Sequence, residues 1–205
     1  MAEIKDKEST PAASPPSGPS QQTRARVFRA GLDEIAEVGL TNARVERIAR
    51  RAGVTRPTVY SYFPTKEDLL REALERTETR AYQLLTERGG DGTLARLMHD
   101  VTDVFFDVVE PANAGLRRET FALILREARV MDNTARGDLY GFLAERIEVA
   151  QASGDIASEM PPREFAIAMI TALFGFLTIE TKPPKERREA AHSMVELMVR
   201  GAGAE

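Results

Sequence analysis

The 205-residue chain contains no cysteine, which excludes both a disulfide framework and a thiolate metal site. Only two histidines occur, His99 and His192; they lie far apart in sequence and read as two separate surface residues. Long apolar runs are also missing. The most apolar stretch, FAIAMITALFGFLTI at 165–179, is fifteen residues long and bounded by Glu164 and Glu180, whereas a membrane span needs about twenty. It reads as a helix buried on most sides, in a soluble, cytoplasmic chain, and the N-terminus offers no apolar run of signal-peptide type. There is no Walker loop, Gly-x-Gly-x-x-Gly, nucleophile elbow or HExxH. GGDG at 89–92 follows a helical pattern rather than a strand, so it makes no phosphate cradle. Catalysis, a cofactor and a metal are therefore not expected.

What is present is an ordinary globular composition, 42% apolar and 29% charged, with enough apolar material for a real core. The net charge is −4, unsuited to coating nucleic acid over the whole surface, but it is unevenly spread. Between Arg44 and Lys66 six bases stand against one acid, Glu46, while residues 81–205 carry 14 bases and 20 acids. A basic stripe on an acidic body can bind a polyanion at one face.

Residues 1–22 are rich in Ser, Pro and Ala and read as a disordered tail. Lys5 and Lys7 are offset by Glu3, Asp6 and Glu8, so the tail reads as passive rather than as a DNA-binding arm. From Thr23 onward the periodicity is helical throughout, which predicts an all-α fold of nine helices. Phe28, Leu32 and Ile35 define one face of a first helix ending near Gly39. Val45, Ile48, Ala49 and Ala52 define a short second helix stopped by Gly53. Thr55 can cap a third helix with Pro57 in its first turn, and Thr65 with Asp68 forms a capping-box pattern before a fourth helix, 66–88. Further helices are predicted near 93–110, 115–131, 133–152, 161–181 and 184–200, separated by Pro, Gly and Asn/Asp signals.

The stretch TRPTVYSYF, 55–63, concentrates two of the four tyrosines with an Arg, a Pro and a Phe. Two short helices joined by AGV (52–54) have helix-turn-helix spacing. In the third helix Val59 and Phe63, four apart, turn inward, which leaves Arg56, Pro57, Thr58, Tyr60 and Tyr62 to face outward. Such a helix can enter a major groove, with Arg56 bidentate on guanine and Pro57 or Thr58 against a thymine methyl. Lys66 would add charge at a helix N-terminus suited to phosphate. Arg47, Arg50 and Arg51 read more plainly as bases solvating the second helix, and Tyr60 and Tyr62 could instead pack between helices.

Residues 28–70, above all IARRAGVTRPTVYSYFPTKEDLL at 48–70, resemble the DNA-binding region of the tetracycline-repressor (TetR) family. The resemblance implies a three-helix head at 23–70 and an effector-binding and dimerisation body at 71–205. It implies base or groove contacts from Arg56, Pro57 and Thr58, and phosphate contacts from Thr55, Tyr60, Tyr62 and Lys66. Arg44 stands where the family often has a small hydroxyl cap, which passes the capping role to Asn42 and a phosphate contact to the guanidinium. Pro57 stands where the family often has Gly, which stiffens the first turn.

The resemblance also implies a cavity for a small effector in the body. Its candidate lining is drawn from the stripes Leu97, Val101 and Phe105; Phe121 and Leu125; Leu139 and Phe142; and Ile170 and Phe174. These stripes hold few polar groups, so the effector would be largely apolar. The last two helices suggest a dimer interface, with Phe165, Met169 and Phe176 on one and Ala191, Met194, Val195 and Met198 on the other. The expected whole is a homodimeric, effector-released repressor on a near-palindromic DNA operator. The alternative is a family member with a filled core that binds DNA and a protein partner without an effector.

Overall fold

The computed structural model describes residues 19–89, 93–126, 139–156, 159–178 and 183–201. Among them are nine helices and no strand: α1 (Pro19–Asn42), α2 (Val45–Ala52), α3 (Arg56–Tyr62), α4 (Lys66–Glu87), α5 (Leu94–Val109), α6 (Ala114–Arg126), α7 (Leu139–Ala152), α8 (Pro162–Thr178) and α9 (Pro184–Gly201). The expected tail over 1–18 lies outside the described residues, as do the expected helical residues 127–131, 133–138 and 179–181 and positions 90–92. Helix α1 starts at Pro19, four residues ahead of the expected boundary at Thr23, and is broken at Gly39 (φ 78, ψ 160) where its end was read. None of the described helices is long and apolar enough to cross a membrane.

Two apolar cores follow from these helices. The smaller gathers Val27, Phe28 and Ile35 of α1, Ile48 and Ala49 of α2, Val59 of α3, Phe63 and Leu69. The larger is built around α5, which packs against α4, α7, α8 and α9. Helix α6 belongs to both. Its Leu123 is buried in the smaller core, while Ile124 is buried in the larger one. The start of α6 comes so close to α1 that a β-carbon on Gly115 would stand 2.7 Å from the carbonyl oxygen of Ala36, a contact only glycine tolerates.

Polar groups pin the ends of the body helices. Arg117, buried, donates from Nη1 to the Glu110 carbonyl at 2.8 Å and to that of Ala112, which fixes the α5–α6 corner. Arg187 of α9, also buried, pairs with the Glu110 carboxylate and reaches the Leu177 carbonyl at 3.4 Å. His99 and His192 are not two separate surface residues. Their rings stack at 4.8 Å with the Nδ1 atoms 2.7 Å apart, joining α5 to α9. Asp103 lies 3.0 Å from His192 Nε2 and Glu196 3.4 Å from His99 Nε2. Sequence spacing could not show this, because the two rings are brought together by tertiary packing alone.

Candidate nucleic-acid interface

Helix α2 is held by charge as well as by its apolar face. Arg44 precedes it in an extended conformation, and no side chain caps its N-terminus. Asn42 does not take the capping role expected of it, since its Nδ2 donates to the Val38 carbonyl at 3.1 Å. The Arg44 N–H is directed instead at Glu34 Oε1, 3.4 Å away. Glu34 is fully buried, and Oε2 lies 3.0 Å from Arg47 Nε and 3.7 Å from Arg51 Nη2. Next to it, Glu37 sits 2.6 Å from Arg51 and 3.3 Å from Arg47. The Arg51 hydrogen bond holds the Glu37 carboxyl below the ordinary carboxylate value, and the two nearby guanidinium charges add to this. A buried carboxylate stripped of such partners is destabilising by several kcal/mol. Arg47 and Arg51 therefore lock α2 onto α1 rather than simply solvating it.

The turn from α2 to α3 needs Gly53, which closes α2 at φ 67 and ψ 40, a left-handed conformation costly for residues with a β-carbon. Thr55 caps α3 as expected, its hydroxyl accepting from the Thr58 N–H at 3.4 Å and lying 2.8 Å from the Thr58 hydroxyl. Val59 and Phe63 are buried. Phe63 is stacked on Phe28 at 6.0 Å and covered by the Arg24 guanidinium. That anchoring leaves Thr55, Arg56, Pro57 and Tyr60 exposed along the opposite side, with Thr58 half-buried.

The remaining named residues divide. Tyr62 is half-buried, its hydroxyl 3.1 Å from Ser20 at the start of α1, so it braces the head. Lys66 departs most from its expected phosphate role. Its Nζ donates to the carbonyls of Leu40 (2.7 Å), Thr41 (3.2 Å) and Ala43 (3.0 Å), the orphan acceptors where α1 ends. An ammonium has three donors, and all three are engaged. The capping box of α4 forms as read, with Thr65 N–H on Asp68 Oδ2 at 2.7 Å and Asp68 N–H on the Thr65 hydroxyl at 3.2 Å. Arg44 and Arg50 are exposed cations with no side-chain partner among the described residues. Arg56 Nη1 lies 2.8 Å from Glu46 Oε1.

Three of these residues escape the sequence motif: Glu34, Glu46 and Arg50. A signal for Glu34 does exist, because it stands seven residues after Val27 and so on the same buried face of α1. Arg50 and Glu46 carry no comparable mark, since an exposed charge looks the same in sequence whatever it meets.

In the body, Phe105, Phe121, Leu139, Ile170 and Phe174 line one cavity, together with Thr77, Glu78, Tyr140 and Thr171. Phe174 stacks on Phe121 at 5.9 Å and meets Phe105 edge-on at 6.0 Å. Leu97, Val101 and Phe142 are core residues outside the lining. Leu125 is a correction: it is 64% exposed, because α6 turns it away from the body core. The cavity is also more polar than the stripes suggested. The Thr171 hydroxyl is buried without a hydrogen-bond partner, and burial, reinforced by Glu78 and opposed by Arg163, raises the Tyr140 phenol above its ordinary value. Its volume is about 20 Å³. Of the expected dimer residues, Phe165, Met169, Ala191 and Val195 are buried within the single chain, whereas Phe176, Met194 and Met198 are half-buried. Ala191 and Val195 face this chain's own core because α9 packs on α5, and Phe165 and Met169 do so on α8, which packs chiefly against α7. No group of three or more His, Cys, Asp or Glu among the described residues is placed to hold a metal ion.

Residues 27–73 match the family described as bacterial regulatory proteins, tetR family. The transcriptional regulator AcuR of Cereibacter sphaeroides is 28% identical over 177 residues, covering 75% of this chain and 80% of AcuR. The HTH-type transcriptional repressor SCO4008 of Streptomyces coelicolor is 36% identical over 56 residues, 27% of this chain and 29% of its own. Among solved structures, Salmonella enterica GusR superposes with a TM-score of 0.69 at 21% identity, over 91% of this chain and 97% of GusR, a likeness of fold alone. With the motif, the exposed side of α3 and the all-helical fold in agreement, residues 27–73 form a DNA-binding region of the tetR-family type, and the chain as a whole is similar to transcriptional regulators that carry it.

Proposed function

We propose that this regulator is a cytoplasmic homodimer that represses transcription from a near-palindromic operator and is released by a small effector. The observation that carries the DNA side is the division of α3, with Val59 and Phe63 buried and Arg56, Pro57 and Tyr60 exposed. In this reading residues 23–70 form the DNA-binding head and 71–205 the effector-binding and dimerisation body. Arg56, Pro57 and Thr58 read bases, while Thr55, Tyr60 and the unpaired Arg44 and Arg50 meet phosphates. Tyr62 and Lys66 hold the head together and contribute to binding indirectly. Repression is favoured by the Streptomyces relative, which is itself named a repressor.

The cavity supports an effector of largely apolar body with one hydrogen-bonding group directed at Thr171 or Tyr140. At about 20 Å³ it holds roughly one water, far from the few hundred Å³ of an occupied ligand site. Effector binding must therefore move Phe121 or Phe174 and select a more open arrangement of the body. It releases DNA only in so far as it binds that arrangement more tightly than the DNA-competent one. The same small volume favours a second reading, a filled core that binds DNA and a protein partner with no effector.

The test is fluorescence anisotropy on DNA upstream of the protein's own gene, across a salt series and against a scrambled duplex. Tight, selective binding is expected, and Arg56→Ala should cost about 1–3 kcal/mol and relax preference at one base position. Equal, steeply salt-dependent binding to both duplexes, repeated with a duplex selected from random DNA, would overturn the reading face. An apolar compound that both raises the thermal midpoint and releases the DNA supports the effector. Its absence across a broad panel, with a protein co-purifying at fixed stoichiometry, supports the filled core.

A further inference from the structure

The basic stripe contains a single acid, Glu46, and the fold sets it against the residue most suited to read a base. Glu46 stands in the first turn of α2, where a carboxylate is favoured by the helix dipole. Arg56 is the first residue of α3. Their Oε1 and Nη1 atoms lie 2.8 Å apart across the turn, and both side chains are more than half exposed. Glu46 is not needed to hold the two helices together. Gly53, the buried Ile48, Ala49 and Val59, and the Glu34–Arg47–Arg51 network already do that.

We infer that Glu46 is a specificity-determining positioning residue, which holds Arg56 for bidentate contact with guanine and opposes its capture by phosphate. The inference rests on Arg56 being the base-reading side chain. A guanidinium carries five N–H donors in a rigid fork. One carboxylate oxygen engages Nη1 and leaves donors on the remaining edge for guanine O6 and N7. An unrestrained arginine at a helix N-terminus can instead swing to a phosphate oxygen, which occurs at every base pair and carries no sequence information. The Glu46 charge acts against that alternative twice. It keeps the side chain in one orientation, and it repels a phosphate from the same spot. The other cations of the stripe show the contrast. Arg44 and Arg50 have no acidic partner among the described residues, as befits sequence-independent phosphate contacts, whereas Arg56 does.

The experiment uses the full chain and a duplex selected by the wild-type protein from random DNA, with a scrambled duplex as competitor. Wild type, Glu46→Gln, Arg56→Ala and the double variant are compared by anisotropy over a salt series. Circular dichroism confirms equal helicity, as expected for exposed positions. For Glu46→Gln, affinity for the scrambled duplex should rise about threefold and the salt slope should steepen by roughly 0.9, the signature of one added phosphate contact. The ratio of selected to scrambled affinity should fall by about tenfold. On the Arg56→Ala background the same change should leave that ratio unaltered. Should Glu46→Gln keep both ratio and slope while Arg56→Ala abolishes selectivity, this inference is overturned and the base-reading role of Arg56 stands. An equal loss of selectivity on the Arg56→Ala background also overturns it, because Glu46 would then act independently of Arg56. If Arg56→Ala leaves selectivity intact, both fall together.

Discussion

A half-buried lysine ammonium set against three carbonyl oxygens does the work of a helix cap from outside the helix. Lys66 closes the end of α1 in this way, complementing the partial negative charge that gathers there. Lys66→Ala leaves those carbonyls without partners and should destabilise the protein by about 1.5–3 kcal/mol. Affinity for all duplexes should fall with it, while the slope of binding against salt stays unchanged. A lost slope of roughly 0.9 with an unaltered thermal midpoint would instead restore Lys66 to the phosphates. Sequence alone makes Lys66 an exposed base at a helix start. Its true partners lie 23 to 26 positions away, beyond anything local spacing encodes. Thr55 and Gly53 were legible for the opposite reason, because a cap and a left-handed turn are decided within a few residues.

Helix α3 has only seven residues, too few to hold its shape alone in water. Its order is imposed by its cap and by Phe63, which stacks on Phe28 of α1 in a ring pair covered by two arginines. Arg24 lies over Phe63 and Arg76 over Phe28, and both guanidinium groups bind the carboxylate of Glu72. This clamp is acid-sensitive. Burial raises the Glu72 carboxyl, but hydrogen bonds and charge from Arg24 and Arg76 outweigh it and leave the group below its ordinary value. Asp68 in the capping box behaves alike, with burial opposed more strongly by Thr65 and Arg71. A carboxylate depressed in the folded state contributes stability that is present above the unfolded value, near pH 4, and lost as pH falls through the folded one. The thermal midpoint should hold from about pH 7 to 5 and drop below about pH 4. Glu72→Gln should lower the plateau and soften the drop, and an unchanged acid limb would remove Glu72 as its source. Which residues form α2 to α4 was readable from period and punctuation, whereas the first turn of α1, from Pro19, was not. The clamp was not, since cross-helix ion pairs depend on packing angle rather than on spacing.

For the molecule as a whole, the surface left for a second copy is narrower than the apolar pattern of the last two helices suggests. Ala191 and Val195 are covered by α5, so periodicity identified the buried seam of α9 but not what buries it. Half-buried Met194 and Met198 and the 72% exposed Leu197 remain on α9, with Phe176 on α8. A homodimer built there should be split by Leu197→Glu, giving a monomer by sedimentation at micromolar concentration and weaker binding to a two-half-site duplex. A variant that still sediments as a dimer would place the interface elsewhere. The body was the least legible part. An apolar stripe looks the same in sequence whether it lines a cavity, fills a core or faces a partner, and Leu125 shows how one turn of a helix decides the matter.

Helix α6 bears on how such regulators can be recombined. Leu123 sits in the head's core, with Leu116 packed against it, while the neighbouring Ile124 lines the body cavity together with Phe121. The seam between the two apolar cores therefore runs lengthwise through one helix. A head taken from another regulator and joined at residue 70 would arrive without its matching socket for Leu123. A chimera that keeps both cores intact must transplant the head-facing side of α6 and leave the other side in place.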